Sequence, residues 1–166
     1  MIKPTVEKEM IELGNVFYYE TKLGKLGVAE ESGSITHLFF DGEKFPEKDY
    51  IESETPVLAE AGKQLKEYFA GTRREFDLPL APAGTAFMQK VWKALQEIPY
   101  GETRSYKEIA AAAGNVKACR AVGMANNRNP IAVIIPCHRV IGAGGDLVGY
   151  GGGLDKKIFL LELEKK

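Results

Sequence analysis

The apolar residues of this chain change their spacing at one proline-containing segment, residues 77–84 (Asp-Leu-Pro-Leu-Ala-Pro-Ala-Gly). Before it, β-branched and aromatic residues form short runs between glycine turns, which is typical of an antiparallel meander. After it, apolar residues recur every three or four positions, as on one face of a helix. A chain of 166 residues fits one sizeable domain or two small ones, and its 45% hydrophobic content can fill a core. The sequence therefore predicts an α+β protein with domains at 1–80 and 81–166.

The first half is predicted to contain three strands and one helix. The strands are expected at 16–21, 26–30 and 35–40, with glycine-containing turns between them. The helix should begin after Thr55, because the next residue, Pro56, suits the first helical position. Its apolar stripe is formed by Val57, Ala61, Leu65 and Tyr68.

The second half is predicted to contain a helix-turn-helix. Ser105 and Glu108 have the spacing of a capping box that opens a short helix. Residues 117–127 continue as a second helix, with Asn115 as its expected cap. Two short helices joined by a tight turn are typical of DNA-binding helix-turn-helix units, although an ordinary helical corner has the same pattern.

Three further elements are expected around this unit. A helix beginning at Thr85 precedes it, and the β-branched run 131–135 is typical of a buried strand. A last helix closes the chain. The core-facing residues of the first helix are Phe87, Val91, Leu95 and Ile98, and those of the last helix are Leu154, Ile158 and Leu161.

The charges of the chain are unevenly distributed although its net charge is only −1. Residues 1–83 contain 10 Lys and Arg against 16 Asp and Glu, a net charge of −6. Residues 84–166 contain 12 against 7, a net charge of +5. A basic second half favours contact with a polyanion such as DNA through that half alone. Chance asymmetry between two solvated surfaces is the alternative.

Cys137 is the strongest candidate for a reactive group. It follows a buried apolar run and a proline, and His138 and Arg139 come directly after it. A thiol reacts as its thiolate, and neighbouring positive charge promotes its ionisation. The alternative is a cysteine that only fills space in the core. The second cysteine, Cys119, is expected to serve packing.

The position of His138 leaves its contact with the sulfur open. Adjacent residues of an extended chain point to opposite sides, so a direct bond between His138 and Cys137 requires a sharp backbone turn. A water molecule linking the sulfur to the imidazole is the other arrangement. The remaining histidine, His37, falls in a predicted strand and is expected to be structural.

The segment Pro136-Cys137-His138-Arg139-Val140 resembles the active-site motif of the methylated-DNA–protein-cysteine methyltransferases, also called O6-alkylguanine-DNA alkyltransferases. The resemblance extends at consistent spacing over residues 85–164. Its further blocks are Ile98-Pro99-Tyr100-Gly101, Ser105-Tyr106, Arg120-Ala121-Val122-Gly123, Asn129-Pro130 and Tyr150-Gly151-Gly152-Gly153-Leu154. It implies an RNase-H-like N-terminal domain and a winged-helix-like C-terminal domain. It also implies repair of O6-alkylguanine in DNA, with action on O4 of thymine left open.

The resemblance implies a role for each catalytic candidate. Cys137 would accept the alkyl group in one irreversible turnover, and His138 would remove the thiol proton through a water. Glu164 would hold the imidazole, as a third group does in other nucleophile–base pairs. Asn129 would tie the helix-turn-helix to the active-site turn, and Tyr106 would give a proton to the departing guanine.

The resemblance also implies how double-stranded DNA is bound. Arg120 would enter the base stack after the damaged nucleotide has rotated out, and its helix would lie in the minor groove. Main-chain groups of Cys137, Val140 and Gly151 would read the extruded base by its edge. Further substrate or DNA contacts are assigned to Tyr150, Ala121 and Arg139. Two positions depart from many relatives: Ala132 replaces a proline, and Gly151 replaces a serine found in some.

Neither a cofactor nor a metal is expected. The alkyl carbon is already activated by its guanine leaving group, and two separated cysteines with two histidines give no zinc-ligand spacing. The N-terminus lacks a signal sequence and the longest apolar run is too short to span a membrane. We therefore expect a monomer located in the cytoplasm or at the nucleoid, without membrane association.

Three other functions fit parts of the sequence. A binding-only lesion sensor would replace the cysteine, so Cys137 argues against it. A Cys–His hydrolase would turn over repeatedly, and a helix-turn-helix regulator would not need the thiol.

Overall fold

The first half forms a four-stranded sheet in the computed structural model, which describes residues 13–147, 150 and 152–166. Strands β1 (Gly14–Thr21), β2 (Gly24–Glu31) and β3 (Ser34–Phe40) pair in antiparallel order, and β4 (Tyr50–Glu52) joins β1 in parallel. The strand order is β3-β2-β1-β4. The three predicted strands are therefore confirmed, and β4 is an addition that the sequence pattern did not indicate.

Helix α1 (Pro56–Phe69) packs on this sheet. The predicted apolar stripe is confirmed for Ala61, Leu65 and Tyr68, which are buried in the core. Pro56 occupies the first helical position, as expected, but the Thr55 side chain makes no capping hydrogen bond. The start of α1 is thus set by the proline rather than by a side-chain cap.

The second half is mainly helical, with α2 (Ala86–Gln96), α3 (Tyr106–Ala112), α4 (Cys119–Asn127) and α5 (Leu154–Glu164). Both hydrogen bonds of the predicted capping box are present at the start of α3. The expected Asn115 cap is wrong, because α4 begins only at Cys119 and the Asn115 side chain accepts from the Lys117 amide in the preceding turn. A short parallel pair, β5 (Arg104–Ser105) and β6 (Val140–Ile141), holds α3 next to the Cys137 turn.

The predicted strand at 131–135 is wrong. Ile131 forms a single bridge with Leu38 of β3, and the chain then turns through Val133 at φ 70°. The Ile135 amide bonds back to the Ile131 carbonyl at 3.0 Å, so the backbone satisfies its polar groups locally. Four β-branched residues predicted a strand because such side chains favour strands, but all five residues of the segment are buried in a packed turn instead.

The predicted core face of the last helix is also wrong. Leu154 and Ile158 are exposed, whereas Lys157, Leu160 and Glu164 are buried. Apolar spacing misplaced the face because two of its three buried residues are charged. Such burial requires partners for the charges, and both residues find them at the site described below.

The outer edge of β3 joins the two halves of the chain. Ile35 pairs with Leu80 in the proline-containing segment, and Leu38 pairs with Ile131. These bridges cover the exposed backbone of an edge strand and bring the Cys137 turn against the sheet. Among the described residues, no helix is long and apolar enough to cross a membrane.

Candidate active site

Cys137 begins a 3₁₀ turn, Cys137–Arg139, that follows the packed turn at 131–135. The Cys137 amide bonds to the Ile135 carbonyl at 2.8 Å, and the Arg139 amide to the Pro136 carbonyl at 3.0 Å. The backbone therefore bends sharply here, which was one of the two arrangements left open by the sequence. Cys137 is 5% exposed and His138 is fully buried.

Two asparagines connect α4 to this turn. The Asn129 amide donates to the Ile135 carbonyl at 2.8 Å and its oxygen accepts from the Ile131 amide at 3.0 Å. The Asn126 amide donates to the Cys137 carbonyl at 3.3 Å. Asn129 thus makes the connection expected of it, and Asn126 is a second one that the sequence analysis missed.

The thiol of Cys137 is in a low-polarity environment with few compensating groups. Burial raises its pKa above the ordinary value, and interactions with Asn129, Tyr150 and Lys157 partly oppose this rise. At neutral pH the sulfur is therefore mainly protonated. It needs a base to become a nucleophile.

His138 has the protonation state that such a base requires. Burial lowers its pKa, and Arg139 and Lys157 add to this effect, while Glu164 opposes it. The imidazole is thus neutral at pH 7. Its Nε2 bonds to Glu164 Oε2 at 2.8 Å, and its Nδ1 is buried without a hydrogen-bond partner among the residues that the structure describes. Nδ1 is the ring nitrogen that remains for proton exchange with the thiol.

Glu164 is held as a carboxylate at the centre of this cluster. Arg139 binds it with two nitrogens, Nε at 2.8 Å and Nη2 at 2.9 Å. Although burial raises the pKa of Glu164, the hydrogen bonds from His138 and Arg139 prevail and keep it well below its usual range. A buried carboxylate with these partners fixes the orientation of the imidazole and stabilises its cation.

Two further buried residues belong to this site and were not predicted. Tyr68 of α1 donates its hydroxyl to Glu164 Oε2. Lys157 of α5 donates to the Val140 carbonyl at 2.6 Å and lowers the pKa of the Cys137 thiol. A lysine seven residues before Glu164 lies on the same helix face, which is a signal that could have identified Lys157.

A cavity of about 350 Å³ opens in front of the sulfur. Cys137, Ala132 and Tyr150 line it, together with Phe40 and Glu43 from the first half. Ala132 contributes only a methyl side chain to the wall of this cavity.

Two aromatic hydroxyls lie near the sulfur. Burial raises the pKa of Tyr106 and of Tyr150, and the negative charge of the Cys137 thiolate, when it forms, raises both further. Both phenols are therefore proton donors at neutral pH. Val140, expected to read the base, is buried next to the turn, whereas Gly151 lies outside the described residues.

The residues expected to contact DNA separate into two groups. Arg120 and Ala121 are exposed on α4, as a DNA-contacting helix requires. Arg139 is not: it is 7% exposed, and its guanidinium is bound by Glu164 and by the Ile98 carbonyl at 2.7 Å. The structure therefore corrects the expectation for Arg139, which supports the Glu164 carboxylate instead.

Comparison with known proteins places both halves of the chain in one family. Residues 17–82 match the 6-O-methylguanine DNA methyltransferase ribonuclease-like domain, and residues 86–166 match the DNA binding domain of the same name. The chain is 53% identical over 152 residues to the constitutive methylated-DNA–protein-cysteine methyltransferase of Bacillus subtilis, covering 88% of this chain and 92% of that protein. It is 55% identical over 149 residues to the Methanosarcina barkeri enzyme of that name, covering 88% and 94%.

Solved structures give the same result. The crystal structure of Mycobacterium tuberculosis OGT in complex with DNA matches with a TM-score of 0.86 and 48% identity, covering 91% of this chain and 92% of that one. A structure of the O6-methylguanine methyltransferase from the same organism matches with a TM-score of 0.84 and 46% identity, covering 92% and 93%.

Proposed function

This chain belongs to the 6-O-methylguanine DNA methyltransferase family, and we propose that the sulfur of Cys137 is its alkyl acceptor. The protein is a methylated-DNA–protein-cysteine methyltransferase that binds and repairs alkylated DNA. The observation that carries the assignment of Cys137 is its location: this thiol lines the cavity and adjoins the buried His138–Glu164 pair.

The proposed reaction is a direct displacement at the alkyl carbon. His138 takes the thiol proton through a water, and Glu164 stabilises the resulting imidazolium. The sulfur then forms a bond to the alkyl carbon while the bond from that carbon to O6 breaks, and its electron pair stays on the guanine. Tyr106 gives a proton to the guanine as it leaves, which lowers the barrier to departure. His138 then returns the proton it took from the thiol to the Tyr106 phenolate through solvent, so the net reaction converts a thiol and O6-alkylguanine into a thioether and guanine.

The substrate is proposed to be O6-alkylguanine rotated out of duplex DNA. Rotation is necessary because the cavity is a recess, and it costs a few kcal/mol of stacking, less for a lesion that pairs badly. Main-chain groups near Val140 and Gly151 recognise the base edge, with Tyr150 beside the sulfur.

Helix α4 is proposed to lie in the minor groove, with Arg120 filling the vacated stack. A planar guanidinium stacks on bases and keeps its charge, and the small side chain of Ala121 lets the helix approach closely. The protein is proposed to act as a monomer, in the cytoplasm or at the nucleoid. The domain boundary is proposed at residue 80.

One experiment separates this function from a Cys–His hydrolase. The protein is incubated with excess duplex oligonucleotide whose O6-methylguanine carries a tritiated methyl group. We expect one label to be transferred per protein molecule, after which the reaction stops. Continued release of labelled methyl groups into solution would favour hydrolysis and contradict stoichiometric transfer.

Arg120→Ala should slow repair of duplex DNA much more than reaction with free O6-benzylguanine base. The free base needs no rotation out of a stack, so the loss of the guanidinium affects only the duplex. A loss of about 1–3 kcal/mol would slow duplex repair by roughly 5- to 150-fold. Single-turnover rates on both substrates measure the difference, with Arg73→Ala, which removes an arginine paired to Glu67 on the first half, as the control. Equal slowing on both substrates would eliminate this role of Arg120.

A further inference from the structure

A buried tyrosine of the first half bonds to the carboxylate of the reactive centre. Tyr68 lies in α1, 96 positions before Glu164, and its hydroxyl donates to Oε2 of that carboxylate. The same oxygen accepts from His138 Nε2 at 2.8 Å and from Arg139 Nη2 at 2.9 Å. Tyr68 is fully buried, and its ring contacts Phe76 and other aromatic rings.

The apolar residues around the Tyr68 ring do not explain why the side chain carries a hydroxyl. A phenylalanine would fill the same volume and avoid the desolvation of a polar group. The hydroxyl is therefore explained by its partner, the carboxylate that also binds the imidazole. Since a hydrogen bond to a charged group is stronger than one between neutral groups, this contact restricts where the carboxylate can lie.

We propose that Tyr68 is a positioning residue for alkyl transfer, whose hydroxyl fixes the Glu164 carboxylate against His138 and tempers its negative charge. The inference rests on the proposed function, in which His138 is the base for Cys137. It makes the N-terminal half a participant in the chemistry of the site.

The groups that face the His138–Glu164 pair come from four parts of the chain. Arg139 lies on the same turn, Lys157 on α5, Tyr100 after α2, and Tyr68 on α1. Among these, Tyr68 is the uncharged group that binds the oxygen shared with His138. Without the Tyr68 hydroxyl, Oε2 of Glu164 has one hydrogen-bond donor fewer and attracts the His138 imidazolium more strongly. The protonated form of His138 is therefore stabilised, and its pKa rises.

The test is Tyr68→Phe, with the two imidazoles followed by NMR as pH is varied. The chain has only two histidines, so His37 is an internal control, because it bonds to Thr36 and Tyr50 and lies apart from Glu164. We expect the His138 midpoint to rise by about half to one pH unit, with His37 unchanged. An unchanged His138 midpoint would overturn the proposal.

The rate of alkyl transfer provides a second readout. Relative to wild type, the variant should be slower by a further factor of about 3 to 10 below the wild-type midpoint than above its own midpoint, where only the loss of carboxylate positioning remains. A structural role alone would slow transfer equally at all pH values, and that result would contradict the inference.

The matched control is Tyr19→Phe. It removes a tyrosine hydroxyl that bonds to Glu54 and to the Leu58 carbonyl, all within the first half. We expect no change in the His138 midpoint, and an equal shift in both variants would overturn the assignment to Tyr68. Mass spectrometry of the wild-type protein is run in parallel: if Cys137 is not alkylated the proposed function fails, whereas alkylation with an unchanged Tyr68→Phe profile rejects this inference alone.

Discussion

Cys137→Ser is expected to abolish alkyl transfer while leaving the fold intact. Serine has nearly the same shape, so the buried turn and its bonds to Asn126 and Asn129 should persist. Its hydroxyl, however, is a far weaker nucleophile than a thiolate, and a neutral imidazole cannot ionise it to a useful extent. Single-turnover assays with O6-methylguanine duplex should detect no transfer, and circular dichroism should show a folded protein.

Cys119→Ser is the matched control for this result. Cys119 is partly buried at the start of α4, and its sulfur approaches the Val116 carbonyl at 3.9 Å, which is a packing contact. We expect full transfer in this variant. Alkyl transfer by the Cys137→Ser protein, or loss of transfer in the Cys119→Ser protein, would show that Cys137 is not the alkyl acceptor.

Glu164→Gln should have the second largest effect, on both stability and rate. The amide cannot accept from His138 and both Arg139 nitrogens at once, so the guanidinium is left buried without its counter-charge. Breaking a buried pair in this way costs about 3–5 kcal/mol of unfolding free energy. The disoriented imidazole should slow transfer by about 10²- to 10⁴-fold. Urea unfolding and single-turnover rates measure the two effects separately.

The loss of stability should depend on pH in a defined direction. Because the pKa of Glu164 is held below its usual range in the folded protein, its contribution is complete above the unfolded carboxylate value of about 4.3. It declines as pH falls below that value, so the difference between wild type and variant should shrink in acid. Glu162→Gln, an exposed carboxylate paired with Lys165, is the control and should change neither stability nor rate appreciably.

Local patterns predicted the parts of the fold that local interactions determine. The capping box at Ser105 and Glu108 and the three strands of the meander follow from neighbouring residues alone. The strand prediction for 131–135 failed because a strand needs a continuous partner, and the pairing of this segment with β3 is limited to the bridge between Ile131 and Leu38. Sequence spacing contains no information about whether such a partner is present.

The site was predictable where one motif contains it and unpredictable where distant elements meet. Cys137 and His138 are adjacent in sequence and belong to one recognisable motif. The Tyr68–Glu164 contact, in contrast, joins residues 96 positions apart. Lys157 was missed because a buried lysine contradicts the usual preference of charge for solvent. Arg139 was misassigned for the same reason, since its burial depends on Glu164 from another helix.

The most direct test of the central claim is the intact mass of the protein after incubation with excess duplex containing O6-methylguanine. We predict a single increase of one methyl group per chain, which peptide mapping locates on Cys137. An unmodified Cys137 in folded protein, or a methyl group found on any other residue, would contradict the claim.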